Sequence, residues 1–288
     1  MSNYIKSFSL SPGGRLMLIS ICAFSLMHLS VKALPGIPVV QIILIRSVFS
    51  LSICVADFLK NNIHPWGNNK RLLILRGLCG VLSLILFFTS IQRIPLASAI
   101  TISNLMPLCA LLLAVLFLNE KVSRARWLSV CVAFTGVFMI KGYDTRVSTE
   151  DLLIALGGTF FAGCAHFLVR KLKTSDHPSV IIFYFPLITI PIILPLAISQ
   201  WVVPNPEQWL ILICVAVFTH LGQWFMTRAY QIEEIGKVAH IYFLGIILAL
   251  IYGYTFFNET FNALTIAGML LIVGTIVFNA MVPGKRAT

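Results

Sequence analysis

Arg46 lies inside the apolar run Val39–Leu59, about three residues from its middle. A guanidinium there can grip a carboxylate or a phosphate through two parallel hydrogen bonds. Held instead by backbone carbonyls or a helix end, it would only brace its own helix. His28 and Lys32 stand one turn apart in the run Arg15–Leu34, and His166 with Arg170 repeats the pattern in Leu152–Arg170. Each pair therefore shares a helix face. Imidazole titrates near pH 6.5, so both histidines are candidates for matched gates or proton-sensitive groups. The two long bases are expected to snorkel to the headgroups. His220, Gln223 and Trp224 fall within about one turn of each other in Glu207–Thr227. His240 and Tyr242 stand near the start of Lys237–Phe257, Asn104 near the centre of Leu96–Leu118, and Tyr184 in Pro178–Trp201. Amides and amphipathic rings inside such runs line wet cavities or hydrogen-bond neighbouring helices. These nine residues, Arg46, His28, Asn104, His166, Tyr184, His220, Trp224, His240 and Tyr242, are the candidates for contact with a small-molecule substrate.

What the runs lack is equally informative. All ten acids, from Asp57 to Glu259, fall at run ends or between runs. An acid in the middle of a run is the usual carrier of a coupling proton or sodium ion, and the usual partner of an organic cation. Its absence points to a substrate with an anionic or carboxylate part. Glu120 and Glu259 each follow a run and are expected to make helix-end contacts with nearby bases such as Lys121 or Arg124. The histidines within runs sit at different depths with no carboxylate to join them, so no metal site is expected. The seven cysteines form no CxxC pair and fall in apolar stretches, where they act as small hydrophobes. No Ser–His–Asp set, no HExxH and no GxxxxGK[ST] run is present. Catalytic residues, cofactors and nucleotide hydrolysis are therefore not expected.

The elements that must position these residues follow from composition. The 288 residues are 58% hydrophobic and only 11% charged, with a mean hydropathy of +0.93. A soluble domain carries about 25% charged residues, so an ordinary soluble enzyme and a disordered chain are both excluded. Crossing a hydrocarbon core takes about 20 apolar residues of helix. Ten such runs occur: Arg15–Leu34, Val39–Leu59, Leu72–Ile91, Leu96–Leu118, Ala125–Lys141, Leu152–Arg170, Pro178–Trp201, Glu207–Thr227, Lys237–Phe257 and Asn262–Val282. The fifth is short. Pro186, Pro191 and Pro195 make the seventh irregular, which fits either a moving part or a static kink. The first run lacks a small-residue cleavage site and reads as a retained span. With a cytoplasmic N-terminus, sixteen Lys and Arg, including Arg76 and Arg170, fall on the cytoplasmic side, and Lys32, Arg93, Lys141 and Arg146 on the other. That asymmetry places both termini in the cytoplasm. It also accounts for the net charge of +11 without a nucleic-acid partner.

The chain also matches itself. At an offset of 138, His28 meets His166, Lys32 meets Arg170, Phe87 meets Phe225, Thr89 meets Thr227 and Gly136 meets Gly274. Asn119–Glu120 recurs as Asn258–Glu259, one residue further on. Five spans per copy is an odd number, so the second copy enters the membrane from the opposite side. The expected fold is an all-α integral membrane protein. Its ten transmembrane helices form two inverted five-helix repeats, residues 1–146 and 147–288. Inverted repeats with a midplane site between the halves are common in secondary transporters.

The chain resembles the drug/metabolite transporter superfamily and, within it, the EamA-type ten-helix transporters. The resemblance rests on Arg76–Gly80 (RGLCG), Phe87–Ala99 (FFTSIQRIPLASA), Pro107, Phe117–Val122 (FLNEKV), Gly136, Asn258–Glu259 and Gly274. The second copy departs from the first in having Gly245 or Ile246 near the place of Pro107. The resemblance implies a basket, a monomer or at most a weak dimer. Helices one to four and six to nine would line its cavity, and five and ten would brace it from outside. The expected activity is secondary transport of a small polar metabolite across a bacterial-type inner membrane, by alternating access. The substrate would be an amino acid, an S-adenosylmethionine-like compound or an organic anion. A multispecific efflux pump for amphiphiles is the alternative. It would use an aromatic cavity built from Trp224, Phe225, Tyr230, Tyr242 and Phe243. A membrane-embedded enzyme ranks below both.

Overall fold

The computed structural model of the chain describes residues 11–61, 64–118, 124–172, 175–232, 241 and 244–281. Among them the regular elements are helical: α1 (Pro12–Lys32), α2 (Val39–Asn61), α3 (Lys70–Arg93), α4 (Leu96–Ser103), α5 (Met106–Leu118), α6 (Arg124–Tyr143), α7 (Thr149–Leu172), α8 (Pro178–Ser199), α9 (Pro206–Ile232), α10 (Leu244–Phe257) and α11 (Ala263–Met281). Six of these contain windows long and apolar enough to cross a membrane, and four shorter apolar helices accompany them.

Two of the expected runs differ in detail. The fourth is two helices. Proline lacks an N–H, its ring clashes with the carbonyl four residues back, and it disfavours helical backbone in the residue before it. Pro107 therefore cannot continue α4. The chain turns at Asn104 and Leu105, whose N–H groups reach back to Ile100 O at 3.1 Å and Ile102 O at 3.0 Å. Helix α5 then restarts at Met106. The seventh run, by contrast, is unbroken: α8 runs from Pro178 to Ser199 through all three prolines.

The surface is apolar where a soluble protein's would be polar. Phe138 is 67% exposed, Leu153 65%, Leu210 63% and Leu270 64%. Side chains of this size left outside the packed interior have hydrocarbon as their solvent, and the chain is a multi-pass membrane protein.

The helices pack mainly in the pairs α1 with α9, α3 with α7, α2 with α8, α4 with α10, and α6 with α11. The last pair crosses closely because both contact positions are glycine. A Cβ on Gly136 would stand 2.6 Å from Gly268 O, and one on Gly268 2.7 Å from Gly136 O. Gly274, the sequence counterpart of Gly136, takes no part in this crossing and has open space around it.

The two ends of the bundle differ. At the end where α1 finishes, Leu34, Ile37, Ile91, Ile94 and Leu96 are at most 1% exposed. Polar side chains stitch the loops there. Gln41 donates to Val202 O at 2.9 Å and accepts from Val202 N at 3.1 Å, and Gln92 donates to Leu34 O at 2.9 Å. Glu259 accepts from Leu96 N at 2.8 and 3.1 Å, which caps the start of α4. Lys32 pairs with Glu259 at 3.2 Å and also donates to Ile94 O. This corrects the expectation for Lys32: its charge turns inward to a carboxylate instead of outward to headgroups. The helix-end contact expected of Glu259 is present, but its base is Lys32 of α1. Arg170's side chain, Glu120 and Lys121 lie outside what the structure describes. At the opposite end Asp176 accepts from Asn68 N at 2.5 Å and from Asn69 N at 3.4 Å, and a second buried cluster there includes Leu73 and Leu172.

Candidate functional site

A cavity of about 280 Å³ occupies the centre of the bundle. Its walls come from α1, α2, α3, α4, α5, α7, α9 and α10. Among the described residues none of α6 or α11 lines it, and none of α8, although the seventh helix was expected on the wall.

Four of the nine candidates line this space: His28, Arg46, Asn104 and His166. Arg46 is 6% exposed, and its Nε is buried with no hydrogen-bond partner. Its guanidinium carbon lies 5.8 Å from the centre of the Phe88 ring and 5.6 Å from that of Phe185. Aromatic faces attract a cation but accept no conventional hydrogen bond, so the guanidinium keeps its donors. Asn104 owes its place to the break between α4 and α5, and its Nδ2 is likewise buried and unpartnered. His28 sits against Phe24 and edge-on to Phe87, with centroids 6.5 and 5.3 Å apart. His166 is open to the cavity, with Nδ1 2.9 Å from Ala162 O.

The serine and threonine hydroxyls on the wall mostly spend their protons locally. Ser83 donates to Gly158 O at 2.9 Å, Ser103 to Ile100 O at 2.8 Å, and Thr159 to Ala155 O at 2.7 Å. What remains unsatisfied is a donor set, Arg46 and Asn104, with the Thr219 hydroxyl beside it. Among the described residues no Asp or Glu is on the wall.

Three candidates stand elsewhere. Tyr184 is 4% exposed, and its hydroxyl donates to Trp66 O at 3.0 Å, which fastens α8 to the loop before α3. Trp224 is 47% exposed on the outer face, packed edge-on against Phe225 with Arg228 over its ring. His220 is also off the cavity wall. The reason is register: each residue turns a helix by about 100°, and the wall of α9 is Thr219, Gln223 and Met226. His220 and Trp224 each follow a wall residue by one position and so face away. His240 and Tyr242 lie outside the described residues.

Arg76 carries a signal that was hidden by its place near a helix start, where it counts as a cytoplasmic base. Its Nε and Nη1 are buried without partners, and its guanidinium carbon is 5.1 Å from the Phe185 ring centre. The glycines of Arg76–Gly80 make this possible. A Cβ on Gly80 would stand 2.7 Å from the Phe185 ring, and one on Gly77 2.5 Å from Ile188. Only bare backbone lets α8 approach closely enough to lay Phe185 beside both arginines.

The EamA-like transporter family profile matches twice, over residues 13–142 and 150–281. The chain belongs to the EamA-like transporter family. The pseudopaline exporter CntI of Pseudomonas aeruginosa is 31% identical over 267 residues, covering 92% of this chain and 94% of that protein. Human solute carrier family 35 member G1 is 29% identical, covering 90% of this chain and 76% of its own. The S-adenosylmethionine uptake transporter of Rickettsia prowazekii is 26% identical, covering 71% and 70%. One solved crystal structure superposes with a TM-score of 0.68 at 16% identity, over 97% of this chain and all of that one, and shows the shared fold. This EamA-like chain is thus a transport protein of the drug/metabolite transporter superfamily and not an enzyme.

Proposed function

We propose that the chain is a secondary transporter that carries small polar metabolites with an anionic or carboxylate group across a bacterial-type inner membrane. Amino acids, S-adenosylmethionine-like compounds and organic anions are the candidate cargoes. The observation that carries this reading is Arg46, on the wall of a central cavity, with its Nε buried and unpartnered and no acid on that wall among the described residues. The reading gains support from relatives named for export of pseudopaline, uptake of S-adenosylmethionine and transport of riboflavin.

The mechanism in this reading is alternating access between two inverted five-helix repeats, residues 1–146 and 147–288. The helix packing supports this reading. Exchanging the first five spans with the second five turns the pair α1 with α9 into α7 with α3, and leaves α2 with α8, α4 with α10 and α6 with α11 unchanged. In this reading the sealed end, where α1 finishes, faces away from the cytoplasm, with both termini on the cytoplasmic side. The carrier is a monomer or at most a weak dimer.

The deciding experiment is counterflow in proteoliposomes with labelled amino acids, S-adenosylmethionine, nucleosides and carboxylic acids, with and without a pH gradient. Exchange of a carboxylate-bearing compound, lost in Arg46→Ala at equal membrane abundance and unchanged thermal stability, supports the reading. Wild-type exchange in that variant makes Arg46 a structural residue. A second reading, a multispecific amphiphile pump, draws on one feature of the wall. Phe24, Phe87, Phe88, Met27, Met106 and Met226 form an adaptable apolar surface. It takes first place if bulky amphiphiles bind and no carboxylate exchanges.

A further inference from the structure

We infer that the cargo is held at two points, one anionic group on Arg46 and a second on Arg76, so that the site selects molecules with at least two carboxylates. This inference rests on the transport reading above and adds the second anchor.

The two guanidiniums lie 5.6 and 5.1 Å from the centre of a single ring, Phe185, and so can be no farther apart than the sum of those distances. A molecule of a few carbons spans that gap. Neither arginine has a hydrogen-bond or ion-pair partner among the described residues: Arg46 Nε, Arg76 Nε and Arg76 Nη1 are buried and bare. Two like charges that close repel when desolvated, and the shared ring face offsets only part of that cost. A fold that merely needed these positions filled would accept uncharged side chains. Elsewhere this chain supplies a partner to an inward-turned base: Lys32 has Glu259 at 3.2 Å. Among the described residues the pair beside Phe185 has no such counter-ion. The missing charges therefore come with the ligand. One carboxylate can satisfy one guanidinium bidentately, and the second guanidinium asks for a second. Arg46 reaches the cavity wall from the middle of α2, whereas Arg76, in the second turn of α3, is not among the residues that line it. The cargo would hold one carboxylate on Arg46 and reach with the other past the wall to Arg76.

The test uses the purified full chain and three probes: glutarate, its monoamide and inorganic phosphate. Binding is read as the ligand-dependent rise in Tm. Wild type should bind glutarate at least about tenfold more tightly than the monoamide, the scale of one charge-assisted bidentate contact. Arg76→Gln should erase that preference while leaving monoamide affinity unchanged. Its unliganded Tm should rise, because a repulsion is removed. A structural role for Arg76 predicts a lower unliganded Tm. Arg76→Lys, which keeps the charge and loses the fork, should retain part of the preference and guards against misfolding of the glutamine variant. Arg46→Gln should weaken both organic probes. Equal wild-type affinity for glutarate and monoamide, no binding of either, or equal loss for both in Arg76→Gln would overturn the two-point site. Phosphate binding more tightly than glutarate would also overturn it, since the pair would then be a clamp for one phosphoryl group. An unaltered Arg46→Gln alongside a responsive Arg76→Gln would refute the transport reading's anchor and not the second site.

Discussion

The Lys32–Glu259 pair should act as the latch of the sealed end, and Glu259→Gln tests it directly. The ion pair spans 3.2 Å between side chains only 13% and 8% exposed. Removing one partner of a buried pair costs about 3–5 kcal/mol, because the other charge is left uncompensated. Two features reduce that figure here. Lys32 keeps its bond to Ile94 O, and a glutamine oxygen can still accept from Leu96 N. Partial exposure of Lys32 screens it further, which leaves about 2 kcal/mol against the sealed state. At 1.4 kcal/mol per factor of ten, that moves the equilibrium toward opening about thirtyfold. The reporter is Ile37→Cys, 1% exposed behind the latch, in a background without the native cysteines. A membrane-impermeant maleimide should label it slowly in the parent and about thirtyfold faster with Glu259→Gln. Replacing both partners by apolar residues (Lys32→Met with Glu259→Leu) should recover most of the protection, since no bare charge remains. Labelling within twofold of the parent in Glu259→Gln would show that apolar packing alone seals this end.

Two further outcomes follow from register and close packing. Gln223→Ala should reduce transport, whereas Trp224→Ala and His220→Ala should leave it within about twofold, because α9 turns only the first of these to the cavity; counterflow rates at matched abundance check this. Gly136→Val puts methyl groups where a Cβ alone would lie 2.6 Å from Gly268 O, so it should cost about 1–3 kcal/mol of stability by thermal unfolding, with cargo affinity unchanged in the folded fraction.

The membrane class and the family were legible because each rests on long-range signals: hydropathy over about 20 residues and spaced motifs. Residue roles depend on finer quantities. One position along α9 decides between Gln223 on the wall and Trp224 on the outside, and an apolar run of this kind gives little amphipathic signal to fix that rotation. Arg46 was readable because a lone charge in mid-run has few alternatives. Arg76 was not, since a base in the second turn of a span usually serves topology. The RGLCG glycines were visible as a motif, yet their purpose became clear only with the Phe185 ring laid against Gly80. Lys32 and Glu259 are 227 positions apart, so no local pattern could join them.

The electrostatics of the cavity bear on how the cycle turns over. Any alternating-access cycle passes through a state closed at both ends, in which the cavity loses contact with bulk water. For an empty carrier, that step strips water from the bare donors of Arg46 and Asn104 with nothing to replace it. For a loaded carrier, the cargo's anionic group takes the place of water, and the pair crosses the closed state neutralised. The empty return is thus the costly step, because an unpaired buried charge costs several kcal/mol more than a paired one. Exchange should outrun net flux: efflux of a labelled carboxylate from proteoliposomes should accelerate about tenfold or more when the same compound is present outside. Arg46→Gln, which removes the bare charge, should slow exchange yet narrow the gap between exchange and net efflux. Equal rates with and without external substrate in the wild type would mean that the empty cavity closes as readily as the full one. Arg46 would then need a neutralising partner within the protein itself.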